Sequence, residues 1–193
     1  MSSTQSIYQI KVTLRHSKPP IWRRLLVSGG VTLNELHKII QIAMGWTNSH
    51  LHQFIIAGEF FSIPNEEDWK TVIDEREYRL AELVPVTRSK FLYEYDFGDG
   101  WQHDILVENI LPPDPGAKYP HCVTGKRACP PEDVGGIWGF EEFLEAMRDP
   151  EHEEHESYME WCGEPYDPEE LDREEINEGL KDIDGLFEWR GEM

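Results

Sequence analysis

The stretch FLYEYDFGDGWQHDILVENI, residues 91–110, constrains what this chain can fold into more than any other segment. Phe91, Tyr93, Tyr95 and Phe97 alternate with Leu92, Glu94 and Asp96; beyond the glycines, Trp101, His103, Ile105 and Val107 alternate again. Successive side chains of a strand point to opposite faces, so each run is a strand with one aromatic or apolar face. Both faces must end on the same side of a sheet, and the loop between them must therefore preserve parity. A three-residue loop, Gly98-Asp99-Gly100, does this by opposing Phe97 to Trp101 and Tyr95 to His103, whereas a two-residue loop mixes the faces. Gly100 supplies the positive φ that such loops need. DFGDG is thus a hairpin turn first, and the kinase motif of the same letters is dismissed because none of its companion motifs occurs.

The elements around the hairpin follow from the same periodicities. In IYQIKVTL, Tyr8, Ile10, Val12 and Leu14 share one face of a half-buried strand. After the break at SKPP, IWRRLLV predicts a second strand, antiparallel to the first. Thr32 with Glu35 fits a capping box, Val31 with Leu36 a hydrophobic staple, and Gly45 a helix end. Leu33, Leu36, Ile40, Ala43 and Met44 form the apolar stripe between. HLHQFIIAGEFFS predicts a strand that turns at Ala57-Gly58, residues 64–78 a polar excursion, and RLAELV one short helical turn. The order of elements predicts an α+β fold, a β-grasp-like roll with a mixed sheet packed by one helix. Residues 1–111 form that core. Residues 112–137, rich in proline and glycine, form a loop. Residues 138–193 form a C-terminal acidic helical extension packed on the core. There FEEFLEAM is one helix, Asp149 and Pro150 open a second, and Asp167 and Pro168 open a third.

Charge narrows the function classes. The chain carries −20 overall, distributed as +2 over residues 1–90, −5 over 91–140 and −17 over 141–193. Such an acidic end repels phosphates, so direct DNA binding is disfavoured. The acidic helices are read as solvated faces, with mimicry of DNA toward a basic partner as an alternative. No run is long and apolar enough for a membrane span, no signal-peptide pattern opens the chain, and three cysteines do not suggest a disulfide framework. These features predict a soluble cytoplasmic protein with a protein partner or a small ligand, and no membrane.

Chemistry-bearing residues fall into three groups. His50 and His52 lie two apart and share a strand face. Asp96, Asp99, Trp101 and His103 belong to the hairpin. Cys129, Glu132 and Asp133 stand in HCVTGKRACPPED. Cys122 and Cys129 are spaced more widely than the usual zinc pairing, a weak signal for a cysteine-based zinc site, and a site of histidines and carboxylates stands level with it. Its ligands for a divalent metal are His52, His103 and Glu132, with His50, Asp99 or Asp133 beside them. A metal-bound water activated by a free carboxylate makes that arrangement an enzyme, with hydrolysis the reaction class it suits; without it, the same residues form a binding surface. Nucleophile-elbow, Walker and dinucleotide glycine patterns are absent, and the aspartates lack the EF-hand register.

LHKIIQIAMGWTNSHLHQF, YEYDFGDGWQHDI, CVTGKRACPPEDVGGIWGFEEFLEAM and WCGEPYDPEELDREEIN, taken together and in this order, resemble the plasmid pRiA4b ORF-3-like family. The resemblance runs from about residue 6 to 183. Relatives are labelled passenger proteins of insertion elements under a resolvase-type (TnpR-like) name. It implies an α+β roll and a mobile-element association, and no established reaction. The resolvase label does not transfer, since this chain lacks a basic DNA-binding end. The signature positions include His50, His52, Asp96, Asp99, Trp101, His103, Cys129, Glu132 and Asp133. Their concentration in polar loops implies a site made jointly by the DFGDGWQH turn and the CPPEDVGG loop.

Overall fold

The computed structural model describes residues 6–65, 71–163 and 165–183. One mixed sheet of eight strands organises it: β1 (Ile7–Leu14), β2 (Trp22–Ser28), β3 (His52–Ile56), β4 (Glu59–Ser62), β5 (Ile73–Asp74), β6 (Lys90–Tyr95), β7 (Trp101–Leu111) and β8 (His121–Lys126). Their order across the sheet is β5-β4-β3-β6-β7-β1-β2-β8, antiparallel throughout except for β4 with β5. β1 sits between β2 and β7, and its Tyr8, Ile10, Val12 and Leu14 are all buried. The alternation of apolar residues thus sets which side of each central strand enters the core.

The central hairpin keeps the expected face but not the expected register. Tyr95 opposes Trp101 and Tyr93 opposes His103, so the connection runs from Asp96 to Gly100. Three and five are both odd, which is why parity survived the error. The loop is longer because Asp96 adopts a left-handed conformation (φ 54°) and its Oδ1 accepts from the Gly98 amide at 2.9 Å. The Gly100 amide donates to the Asp96 carbonyl at 2.6 Å, closing the turn with Gly100 at φ 67°. Phe97 is pushed out of the strand and half exposed.

Among the described residues five helices complete the fold: α1 (Leu33–Met44), α2 (Leu80–Leu83), α3 (Gly136–Arg148), α4 (His155–Cys162) and α5 (Arg173–Gly179). Thr32 and Glu35 make the reciprocal capping bonds of α1, and Gly45 ends it at φ 87°. Ala57 and Gly58, both at positive φ, make the two-residue turn between β3 and β4. Leu33, Leu36, Ile40, Ala43 and Met44 of α1 join the sheet residues Phe54, Phe91, Tyr93, Tyr95, Trp101 and Ile105 in one buried cluster. Phe140, Phe143 and Leu144 of α3, with Leu180 after α5, belong to the same cluster.

Three sequence expectations are corrected here. Residues 112–137 are not all loop: β8 pairs with β2, and α3 already begins at Gly136. Only Cys122 of β8 is buried, so no alternating pattern marked the strand. Asp149 ends α3 instead of starting α4, whose cap is Glu154. Asp172, not Asp167, caps α5, accepting from the Glu175 amide at 2.9 Å; Asp167 closes the preceding turn through the Glu169 amide. In both cases an Asp-Pro pair served a turn, which the dipeptide fits as well as it fits a helix start. Residues 184–193 of the expected extension lie outside the described residues.

Candidate functional site

The hairpin turn meets the loop before α3 at one end of the sheet. Asp99 Oδ2 accepts from the Gly135 amide at 3.1 Å. Gly136, at φ 68°, lies so close that a Cβ there would stand 2.4 Å from the Asp99 carbonyl oxygen. Glycine at this position is what allows the two backbones to touch. His50 reaches the junction from the segment between α1 and β3, and the Asp96 amide donates to the neighbouring Leu51 carbonyl at 2.8 Å.

There His50 Nε2 lies 3.1 Å from Asp133 Oδ1 and 3.8 Å from Asp96 Oδ2. Neither contact has hydrogen-bond geometry, although the nitrogen itself is shielded from solvent. One ligand atom from each of His50, Asp96 and Asp133 falls within 4.8 Å of the others, the one such grouping of histidine, cysteine and carboxylate donors among the described residues. Both aspartates sit in the left-handed region, at φ 54° and 62°. A non-glycine residue there is uncommon and costs backbone energy, which is often found where a side chain must be aimed. Asp96 is buried and Asp133 exposed, so the cluster opens to solvent on the Asp133 side.

Glu132 is the brace behind this junction. Its Oε1 accepts from the Tyr95 hydroxyl at 2.5 Å, and its Oε2 from the Thr47 amide at 3.0 Å and from the Thr47 hydroxyl. Burial first, and the Glu132 carboxylate second, hold the Tyr95 hydroxyl well above the usual phenol range. Trp46 Nε1 donates to the Pro130 carbonyl at 3.0 Å, so the proline loop is tied to the end of α1 twice over.

Beneath lies an aromatic floor. Trp46 packs on Tyr95 at 5.1 Å between ring centroids, on Trp101 at 5.8 Å and edge-on to His103 at 5.3 Å. Trp101 and His103 are fully buried, and the Trp101 indole nitrogen and both His103 ring nitrogens lack a hydrogen-bond partner among the described residues. Burial pushes the His103 imidazolium down to about 4; the Trp101 and Tyr93 carbonyls oppose the shift without reaching hydrogen-bond geometry.

His52 faces elsewhere. Its Nε2 lies 3.0 and 2.9 Å from the two oxygens of Glu75, a carboxylate with no solvent exposure that also accepts from Asn34 Nδ2 at 2.9 Å. The His52 ring stacks on His37 with centroids 3.4 Å apart and planes 3° from parallel. Gln41 Nε2 donates to the Tyr93 hydroxyl at 2.9 Å, and the same hydroxyl lies 2.8 Å from His37 Nδ1. Asn48 Oδ1 only accepts, so His37 Nε2 carries a proton and donates to it at 2.7 Å; burial holds the pKa well below the usual value, so the ring is neutral and Nδ1 accepts from the Tyr93 hydroxyl. This is a largely buried polar network, and a buried carboxylate needs such a network.

Of the residues singled out from the sequence, His50, Asp96, Asp99, Glu132 and Asp133 gather at the loop junction, with Trp101 and His103 below. The expected metal set of His52, His103 and Glu132 does not come together as ligands: His52 is committed to Glu75, His103 to the aromatic floor and Glu132 to Tyr95 and Thr47. His50 and His52 do not act on one face, because β3 begins only at His52. Cys129 lines a separate groove, and burial pushes its thiol up to about 12. Sequence reasoning missed Glu75, which stands in a polar stretch with nothing to mark it as buried. His37 carried a signal: it lies at helical spacing from Leu33, Ile40 and Met44.

Fold and junction together define an α+β sheet protein with a histidine–carboxylate cluster set between a hairpin turn and a proline-rich loop. The chain belongs to the plasmid pRiA4b ORF-3-like protein family, whose model matches residues 6–175. It is 43% identical over 180 residues to the uncharacterized protein y4hQ of Sinorhizobium fredii (strain NBRC 101917 / NGR234), covering 92% of each chain. The crystal structure of MM3350, a protein of unknown function from Methanosarcina mazei Go1, superposes with a TM-score of 0.81 at 38% identity, covering 88% of this chain and 96% of that one. No described helix is long and apolar enough to cross a membrane.

Proposed function

We infer that this is a binding protein whose recognition surface is the junction of the DFGDGWQH turn and the CPPEDVGG loop, organised by a divalent cation on His50, Asp96 and Asp133. The observation that carries this reading is the His50 Nε2 atom: shielded from solvent, without a hydrogen bond, and facing two carboxylates. Imidazole and carboxylate together suit manganese, iron or zinc. Three protein ligands leave coordination positions for a ligand's own oxygen or nitrogen. The β-grasp-like core acts as a rigid mount, and the acidic C-terminal helices keep nucleic acid away. A mobile-element accessory role rests on the family resemblance, and a cytoplasmic location on cysteine usage that does not suggest a disulfide framework.

Hydrolysis at the same cation is the second reading, favoured by those open positions. It needs a carboxylate free to act as general base. Asp99 is engaged by Gly135 and Glu132 by Tyr95 and Thr47, which favours binding over catalysis.

Elemental analysis of protein purified without a metal-affinity tag, beside His50→Ala and Asp133→Asn, tests the site. We expect close to one manganese, iron or zinc per chain, falling at least ten-fold in either variant while the far-ultraviolet spectrum is kept. Failure of the parent protein to retain or take up any of these ions overturns the assignment.

A further inference from the structure

A groove of about 840 Å3 runs between the end of α1, the proline-rich loop, the end of α4 and one side of α5. Its walls include Ile42, Met44, Pro130, Pro131, Cys162 and Ile176. Two carbonyls of the wall are already paired: that of Pro130 accepts from Trp46 Nε1 and that of Cys129 from the Tyr166 hydroxyl at 3.1 Å. A thiol held as high as that of Cys129 stays protonated at neutral pH and behaves as apolar wall.

Charge on the lining has one sign. Glu132, Glu175 and Glu178 line the groove, and among the described residues no lysine, arginine or histidine does. Glu178 is partnered by Lys181 and Glu132 by Tyr95 and Thr47, whereas Glu175 stands exposed at the rim. Three helices also end here: α1 contributes Met44 and Gly45, α4 its last residue Cys162, and α5 its last residue Gly179. None of the three carries a basic residue in its last turn. Helix C-termini bear partial negative charge and favour cations. Two cations lie close without lining the groove: Lys181 pairs with Glu178, and Arg23 of β2 is buried and donates to the Ala43 carbonyl at 2.8 Å.

We propose that this groove is a binding site for a small organic amine, an ammonium group carried on an apolar body. The walls take the apolar body, and Glu175 and the helix ends take the charge, with the Glu178 carboxylate, shared with Lys181, beside them. The volume lies within the range of about 300–1,000 Å3 found for small-molecule sites. Pro130, Pro131 and Glu132 are wall residues while the next residue, Asp133, belongs to the cation cluster, so the two sites are neighbours with separate ligands.

Calorimetric titration of the full chain with n-octylamine, n-octanol and n-octanoate tests this, with a chelator present so that the result does not depend on the cation cluster. The expected result is one saturable amine site, at least ten-fold tighter than the alcohol, with no binding of the carboxylate. Glu175→Gln/Glu178→Gln, both on the exposed face of α5, should weaken the amine about ten-fold and leave the alcohol unchanged. Ile176→Arg should abolish amine binding by placing a cation in the groove. Equal affinity for the three probes, absence of amine binding, or amine binding unchanged in the double variant overturns the proposal.

Discussion

His103 shows how a single side chain can be read two ways until its surroundings are known. It was a candidate ligand by residue type and a candidate core residue by alternation, and the structure puts it in the core without a hydrogen bond to either nitrogen. Its ordinary value of 6.5 falls to about 4 in the fold, so the unfolded chain binds the extra proton between those values. Stability from the neutral ring is therefore complete above pH 6.5 and is lost as pH falls toward 4. Between pH 7 and pH 5 the loss is about 2 kcal/mol. Urea unfolding at the two pH values should show it, and His103→Leu should flatten the dependence in part, since His37 shifts in the same direction. A variant with the parent's full pH slope would mean that His103 is not buried as described.

At the scale of elements, the site is a contact between two loops, and glycine permits it. Gly100 and Gly136 both have positive φ, but a Cβ at Gly100 meets open space while one at Gly136 meets the Asp99 backbone. Gly100→Ala should cost about 1 kcal/mol, the conformational penalty alone, and Gly136→Ala roughly 3 kcal/mol because the loops must also separate. Gly136→Ala should further weaken cation uptake by moving Asp133 away from Asp96. Denaturation midpoints and metal titration of both variants check this; equal costs at the two positions would contradict the docking of the loops. The two-residue strand β5 illustrates another element-level effect. It is too short to read from sequence, yet it delivers Glu75 to His52.

Across the whole molecule, a net charge of −20 sets the electrostatics. Like charges repel in the compact state, and salt screens them, the Debye length falling from about 30 Å at 0.01 M to about 8 Å at 0.15 M. Raising salt over that range should lift the melting temperature by about 2–4 °C, the shift expected for roughly 1 kcal/mol in a chain of this length. A melting temperature that falls with salt would show that attractive pairs such as Arg24–Glu108 dominate instead. What the sequence determined by itself was local: the strand faces, the capping box of α1, the glycine that ends it and the parity of the central hairpin. Periodicity and capping involve residues a few positions apart, and those interactions are written directly in their order. The meeting of His50, Asp96 and Asp133, the burial of Glu75 and the pairing of β8 with β2 were decided only by tertiary structure. They join segments tens of residues apart, and whether a given polar residue ends up buried depends on what the rest of the chain packs against it.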